Sequence, residues 1–176
     1  MERQRGFTLV EILIVIVIMA ILMVLAVVNL RSGQADARDV ERKTDVANIA
    51  RALEVYYDSG PSTSNTPAAR YPSTSLVTYS DDEFTMNNLR DIDRDSLIAP
   101  GSSGTAGSDF SLIAATNTLE TTTGIRPLPT PSTYVYQPLT SDNVLCISGS
   151  QECRRFNLYY RLETDSTIHM VTSDNQ

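Results

Sequence analysis

The sequence predicts an α+β protein: a long N-terminal α-helix, half membrane-spanning and half amphipathic, packed on a small antiparallel β-sheet head. Three observations predict it. An unbroken apolar run occupies residues 12–28. A step of three and four residues follows at Val46, Ile49, Leu53 and Tyr57. Near the C-terminus Phe156, Leu158, Tyr160 and Leu162 alternate with Asn157, Tyr159 and Arg161.

The apolar run comes first. At 1.5 Å per residue, residues 12–28 make roughly 26 Å of helix. Phe7, Leu9, Val10 and Leu30 extend it enough to cross a bilayer core of about 30 Å. Its many β-branched residues would suit a buried strand, but strands run about 4–8 residues, so the length argues for a membrane helix. Arg3 and Arg5 precede the run, which places the N-terminus in the cytoplasm and the remainder outside. The chain of 176 residues has 14 basic and 21 acidic side chains, net −7. That balance argues against direct nucleic-acid binding, because neutralising phosphates needs a basic face.

Glu11 stands at the start of the apolar run, where a charge is expensive and is a functional candidate by default. Its neighbours are Gly6, Phe7, Thr8, Leu9 and Val10. This stretch resembles the processing motif of the type IV pilin family, which includes the type II secretion pseudopilins. The resemblance implies cleavage after Gly6, N-methylation of Phe7 and an assembly role for Glu11. A physical account can be given independently. Cleavage would leave a positive amine on Phe7, which the Glu11 carboxylate of a neighbouring copy can reach more easily than that of the same chain. Two charges that are each costly in a low-dielectric setting become tolerable as a pair, and pairing favours one axial register. Removing a leader of net +1 from a chain of net −7 leaves −8.

An ordinary secretory signal peptide is the rival reading. The apolar core here exceeds the usual length of about 7–15 residues, and Val24-Leu25-Ala26 is a poor cleavage site. An uncleaved single-pass anchor is a further alternative.

Beyond Leu30 the composition turns polar, with Gly33 as a soft point. The apolar stripe then begins, with Ala50 and Tyr56 beside it and Glu41, Lys43, Asp45, Arg51 and Glu54 assigned to the other side. Gly60-Pro61 ends the helix. The boundaries are a leader over 1–6, a membrane and polymerisation helix over 7–30, an amphipathic half over 31–58 and a globular head over 59–176. Residues 42–57 and Arg70-Tyr71-Pro72 are also similar to the pilin family, with Ala69 where the family carries Gly. The span holds no Gly or Pro, unlike many members whose helix melts on assembly.

In the head, residues 59–75 read as a loop. Ser80-Asp81-Asp82-Glu83 reads as a capping box before a short helix carrying Phe84, Leu89 and Ile92. Residues 100–107 form a Gly/Ser turn region and 121–131 a proline-rich loop. Strands are expected at 110–115, 133–136, 156–162 and 167–172, joined as an antiparallel meander. Cys146 and Cys153 pair as a disulfide if the head is outside the cytoplasm and stay reduced thiols if it is inside.

Enzymatic signals are weak. Asp91, Asp93 and Asp95 have the spacing that opens a calcium loop, but Ser96 and Ser102 stand where Gly and Glu are required. A solvated acidic helix end is the simpler reading. His169 lacks a paired nucleophile and reads as structural. No phosphate loop, nucleophile elbow or zinc-protease motif occurs. The expectation is no catalytic residue, no cofactor and no metal.

The resemblance therefore implies a structural subunit of a type IV pilus, with adhesion or motility as possible outputs. The expected partners are further copies in a helical filament, the prepilin peptidase and methylase, an inner-membrane assembly platform, a cytoplasmic ATPase and, before assembly, membrane lipid. Localisation follows as cytoplasmic membrane, then extracellular filament. The alternatives are a pseudopilin of a type II secretion or DNA-uptake system and, from another class, a monomeric membrane-anchored surface binder.

Overall fold

The computed structural model describes residues 7–63, 68–78, 82–102 and 109–175. The leader with Gly6, and Ser80 and Asp81 of the expected capping box, lie outside the described residues. The chain divides into two compact units, 1–37 and 38–176. Helix α1 covers Leu9–Ser59 and continues through Gly33. It stops at Gly60, whose φ of 75° is a left-handed conformation that glycine adopts without steric cost. The Gly60 amide donates to the Tyr56 carbonyl at 2.8 Å, which satisfies one otherwise orphaned helix-end carbonyl.

In the second unit, the short helices α2 (Ser75–Thr78) and α3 (Asp82–Asn88) precede a 3₁₀ turn at Arg94–Leu97. Four strands follow: β1 (Leu112–Ala114), β2 (Tyr134–Leu139), β3 (Arg155–Arg161) and β4 (Ile168–Thr172). They form one sheet in the order β1-β2-β3-β4. β2, β3 and β4 pair antiparallel as expected. β1 corrects the antiparallel meander, because it pairs parallel with β2. The physical reason is the connection: residues 115–133 are long enough for the crossover that parallel neighbours need, whereas a tight turn permits only antiparallel pairing.

The helix stripe is buried as its period requires. Val46, Ile49 and Leu53 pack with Tyr71, Leu76, Leu97, Phe110, Tyr134, Tyr136, Phe156 and Leu158 in the main core. The opposite face of the sheet is covered too. Val135 and Tyr159 cluster with Ala115 and Ile125 from the crossover segment. All six residues of β2 are therefore buried, which hides the alternation expected of a half-exposed strand. Pro138 lies beyond the stretch of β2 that pairs with β1, residues 134–136, and its carbonyl accepts from the Cys146 amide at 3.0 Å. Leu89 and Ile92 were expected on the short helix, but α3 ends at Asn88, and both are buried from the turn that follows it.

Asp45 corrects the expected polar side of α1. It is buried, and accepts a hydrogen bond from the Tyr134 hydroxyl at 2.9 Å. Burial pushes its carboxyl up to about 6, with Glu41 and Asp95 adding to the effect and Tyr134 and Arg42 opposing it. Glu54, placed on the same side, is half-buried. It accepts from the Tyr71 hydroxyl at 2.7 Å, the Asp174 amide at 3.0 Å and the Asn175 side chain at 3.2 Å. It thereby ties the chain's end to the helix.

Toward the N-terminal side of Asp45 on α1, Asp39 and Arg42 are both buried. Asp39 accepts from the amides of Glu163 and Thr164 at 2.7 and 2.9 Å, the Thr164 hydroxyl at 2.6 Å and Arg42 at 2.8 Å. Burial alone would raise its carboxyl, but these four donors outweigh it and hold it at about 2. Arg42 also donates to the carbonyls of Pro131 and Pro100, so each of its three side-chain nitrogens has an acceptor.

Candidate functional site

The candidate site is the start of α1 and the apolar surface beyond it. Thr8 is the N-cap: its hydroxyl accepts from the Glu11 amide at 3.2 Å, and its carbonyl accepts from the Ile12 amide at 3.3 Å. Thr8-Leu9-Val10-Glu11 has the T-x-x-E spacing of a capping box, a signal the sequence reading missed. The helix consequently starts two residues after Phe7, which is 79% exposed. Glu11 lies in the first turn, where the helix dipole favours an anion. Its carboxylate has no hydrogen-bond or ion-pair partner among the described residues.

The surface beyond Glu11 is apolar. Ile12, Leu13, Ile16, Ile18, Met19, Leu22, Met23 and Leu25 are all more than half exposed. An 18-residue window of α1 reaches a mean hydropathy of 3.3 with none of it buried. A face of this size is far above what a soluble monomer leaves open. Its length and composition suit a bilayer or the apolar helices of other chains.

The remaining candidate residues lie in the head. The Sγ atoms of Cys146 and Cys153 are joined, and their Cα atoms stand 5.9 Å apart. The bridge borders the 71–74 segment: the Tyr71 amide donates to the Cys153 carbonyl and the Thr74 amide to the Cys146 carbonyl, each at 2.8 Å. His169 stacks on Tyr160 with ring centres 5.1 Å apart, and its Nε2 lies 3.4 Å from Asp165. Asp93 caps the 3₁₀ turn by accepting from the Asp95 amide at 3.1 Å. Among the described residues no group of three or more His, Cys, Asp or Glu side chains is placed to hold a metal ion.

Comparison with known proteins bears on the N-terminal part. The family model for the prokaryotic N-terminal methylation motif matches residues 1–27. The type II secretion system core protein G of Pectobacterium carotovorum subsp. carotovorum is 40% identical over 73 residues, 41% of each chain. That of Klebsiella pneumoniae is 38% identical over 74 residues, 42% of this chain and 47% of the relative. That of Escherichia coli (strain K12) is 40% identical over 55 residues, 31% and 38% of the two chains. The chain thus spans less than half the length of these curated relatives. No solved structure matches. These relatives favour the secretion reading over the pilus reading that the motif also permits. Through its N-terminal helix, this chain carries the prokaryotic N-terminal methylation motif and resembles the type IV pilin and type II secretion pseudopilin family.

Proposed function

We propose that this chain is a pseudopilin-type subunit of a type II secretion machine, cleaved after Gly6, methylated on Phe7 and polymerised through its N-terminal helix. One observation carries the reading: an unpartnered Glu11 carboxylate in the first turn of an exposed apolar helix. The processing motif around it and the core protein G relatives support the choice of machine. The leader is residues 1–6 and the span residues 7–30, with Arg3 and Arg5 keeping the N-terminus in the cytoplasm. The head then lies outside, an oxidising setting in which the Cys146–Cys153 bond persists. The partners are further copies, the prepilin peptidase, an assembly platform in the membrane and a cytoplasmic ATPase that drives assembly.

Glu11 of one copy pairs with the Phe7 amine of another. Each charge alone opposes burial among apolar helices, and the pair sets their axial register. The test is the substitution Glu11→Ala in cells that carry the assembly machinery. The processed mass is expected to begin at methylated Phe7 in both proteins. Filaments are expected from the parent chain only, with the variant retained in the membrane. A native mass starting at Met1, or undiminished filaments from the variant, would refute the proposal. The type IV pilus reading shares the motif and differs in filament length and cargo.

A further inference from the structure

A cleft of about 140 Å³ opens at the surface of the head beside Tyr56, the exposed Arg70, Pro72, Leu76, the exposed Gly149 and Gln151. It far exceeds the ~15 Å³ that one water requires and falls short of the several hundred typical of drug-sized ligands. It therefore suits a group the size of a side chain. Two of its polar groups are uncommitted. Neither the Tyr56 hydroxyl nor the Arg70 guanidinium has a hydrogen-bond or ion-pair partner among the described residues. Burial pushes the Tyr56 hydroxyl's pKa up, and Arg70 opposes it only in part, so the hydroxyl stays protonated at neutral pH.

We propose that this cleft is a binding site for a carboxylate-bearing group with a short apolar stem. The chemistry follows from the lining. Arg70 only donates, and Tyr56 brings a hydroxyl proton, so the matching ligand is an acceptor of charge −1. Pro72 and Leu76 offer an apolar wall for one or two methylenes. The chain's nearby Glu54 is already engaged by Tyr71, Asp174 and Asn175. The walls are held in place before any ligand arrives. The disulfide-flanked loop is bonded to residues 71 and 74, and the Gln151 side-chain oxygen Oε1 accepts from the amides of Ile147 and Ser148 at 2.7 and 3.0 Å. Such preorganisation lowers the entropic cost of binding. The site stands independently of the polymerisation reading.

The test is a titration of the full chain in detergent with sodium propionate, read by amide NMR, with propionamide as the neutral isostere. Propionate is expected to shift the amides of Arg70, Ser73 and Gln151 saturably, and propionamide is not. Arg70→Gln is expected to weaken binding about tenfold or more, and Tyr56→Phe by about two- to tenfold. Unchanged β2 and β3 amide shifts in both variants verify that the head is folded. Non-saturating shifts, equal shifts with propionamide, or full affinity in folded Arg70→Gln would overturn the proposal. Dilution of the parent chain without propionate identifies the source. Concentration-dependent shifts of the same amides support the site with an acidic side chain of a second copy as its ligand. Shifts seen only with propionate support it with a free acid.

Discussion

Asp39→Ala removes the hub that fastens the soluble half of α1 to the turn between β3 and β4. Asp39 is 4% exposed and Arg42 2% exposed. The substitution strands the amides of Glu163 and Thr164 and leaves the Arg42 guanidinium with Glu163 at 3.3 Å and two carbonyls. Removing one partner of a buried ion pair costs about 3–5 kcal/mol. Arg42 keeps a second carboxylate, so the lower end applies, about 3 kcal/mol. For a domain of this size that lowers Tm by roughly 10 °C. The assay is thermal unfolding of the full chain in detergent at pH 7, followed by circular dichroism. Asp39→Leu combined with Arg42→Met is expected to recover much of the loss, since an apolar pair of similar volume leaves no buried charge. A fall of less than about 3 °C for Asp39→Ala, or purely additive effects in the Asp39/Arg42 cycle, would refute the reasoning.

Three further outcomes follow from the head. The folded Asp39 titrates at about 2, below its ordinary 3.8, so it stabilises above pH ~4 and that contribution is lost as pH falls through 2. Asp39→Asn should flatten the unfolding midpoint measured across that window. Asp45 has the opposite sign: its carboxyl is raised to about 6, so the folded state binds the proton more tightly than the unfolded state. Stability should rise on acidification from pH 7 to 5, and Asp45→Asn should remove that rise in urea midpoints. Reduction of Cys146–Cys153, a separation of 7 residues, should cost about 2–3 kcal/mol in a denaturant titration with and without dithiothreitol.

Part of this structure was legible because it rests on local periodicity. The step through Val46, Ile49 and Leu53 can bury one helix face in only one way, and the alternation from Phe156 to Leu162 marks a strand in the same manner. Gly60 as helix terminator and the apolar run of α1 were equally local. The spacing around Glu11 was legible too, although the capping role of Thr8 in the same motif was overlooked.

What the sequence determined by itself was therefore the long helix and the four strands, the stripe that seeks a core and the charge placed at the head of an apolar helix. Tertiary structure alone decided the fate of the polar residues on α1. Asp45 was assigned to the polar side and Asp39 and Arg42 to no face, yet all three are buried, with partners drawn from residues 131–164, about ninety or more positions away. The parallel placement of β1 and the covering of the second sheet face depend likewise on the crossover 115–133. Local sequence encodes propensity and period. Whether a charge can leave water depends on which donors and acceptors the distant chain brings to it.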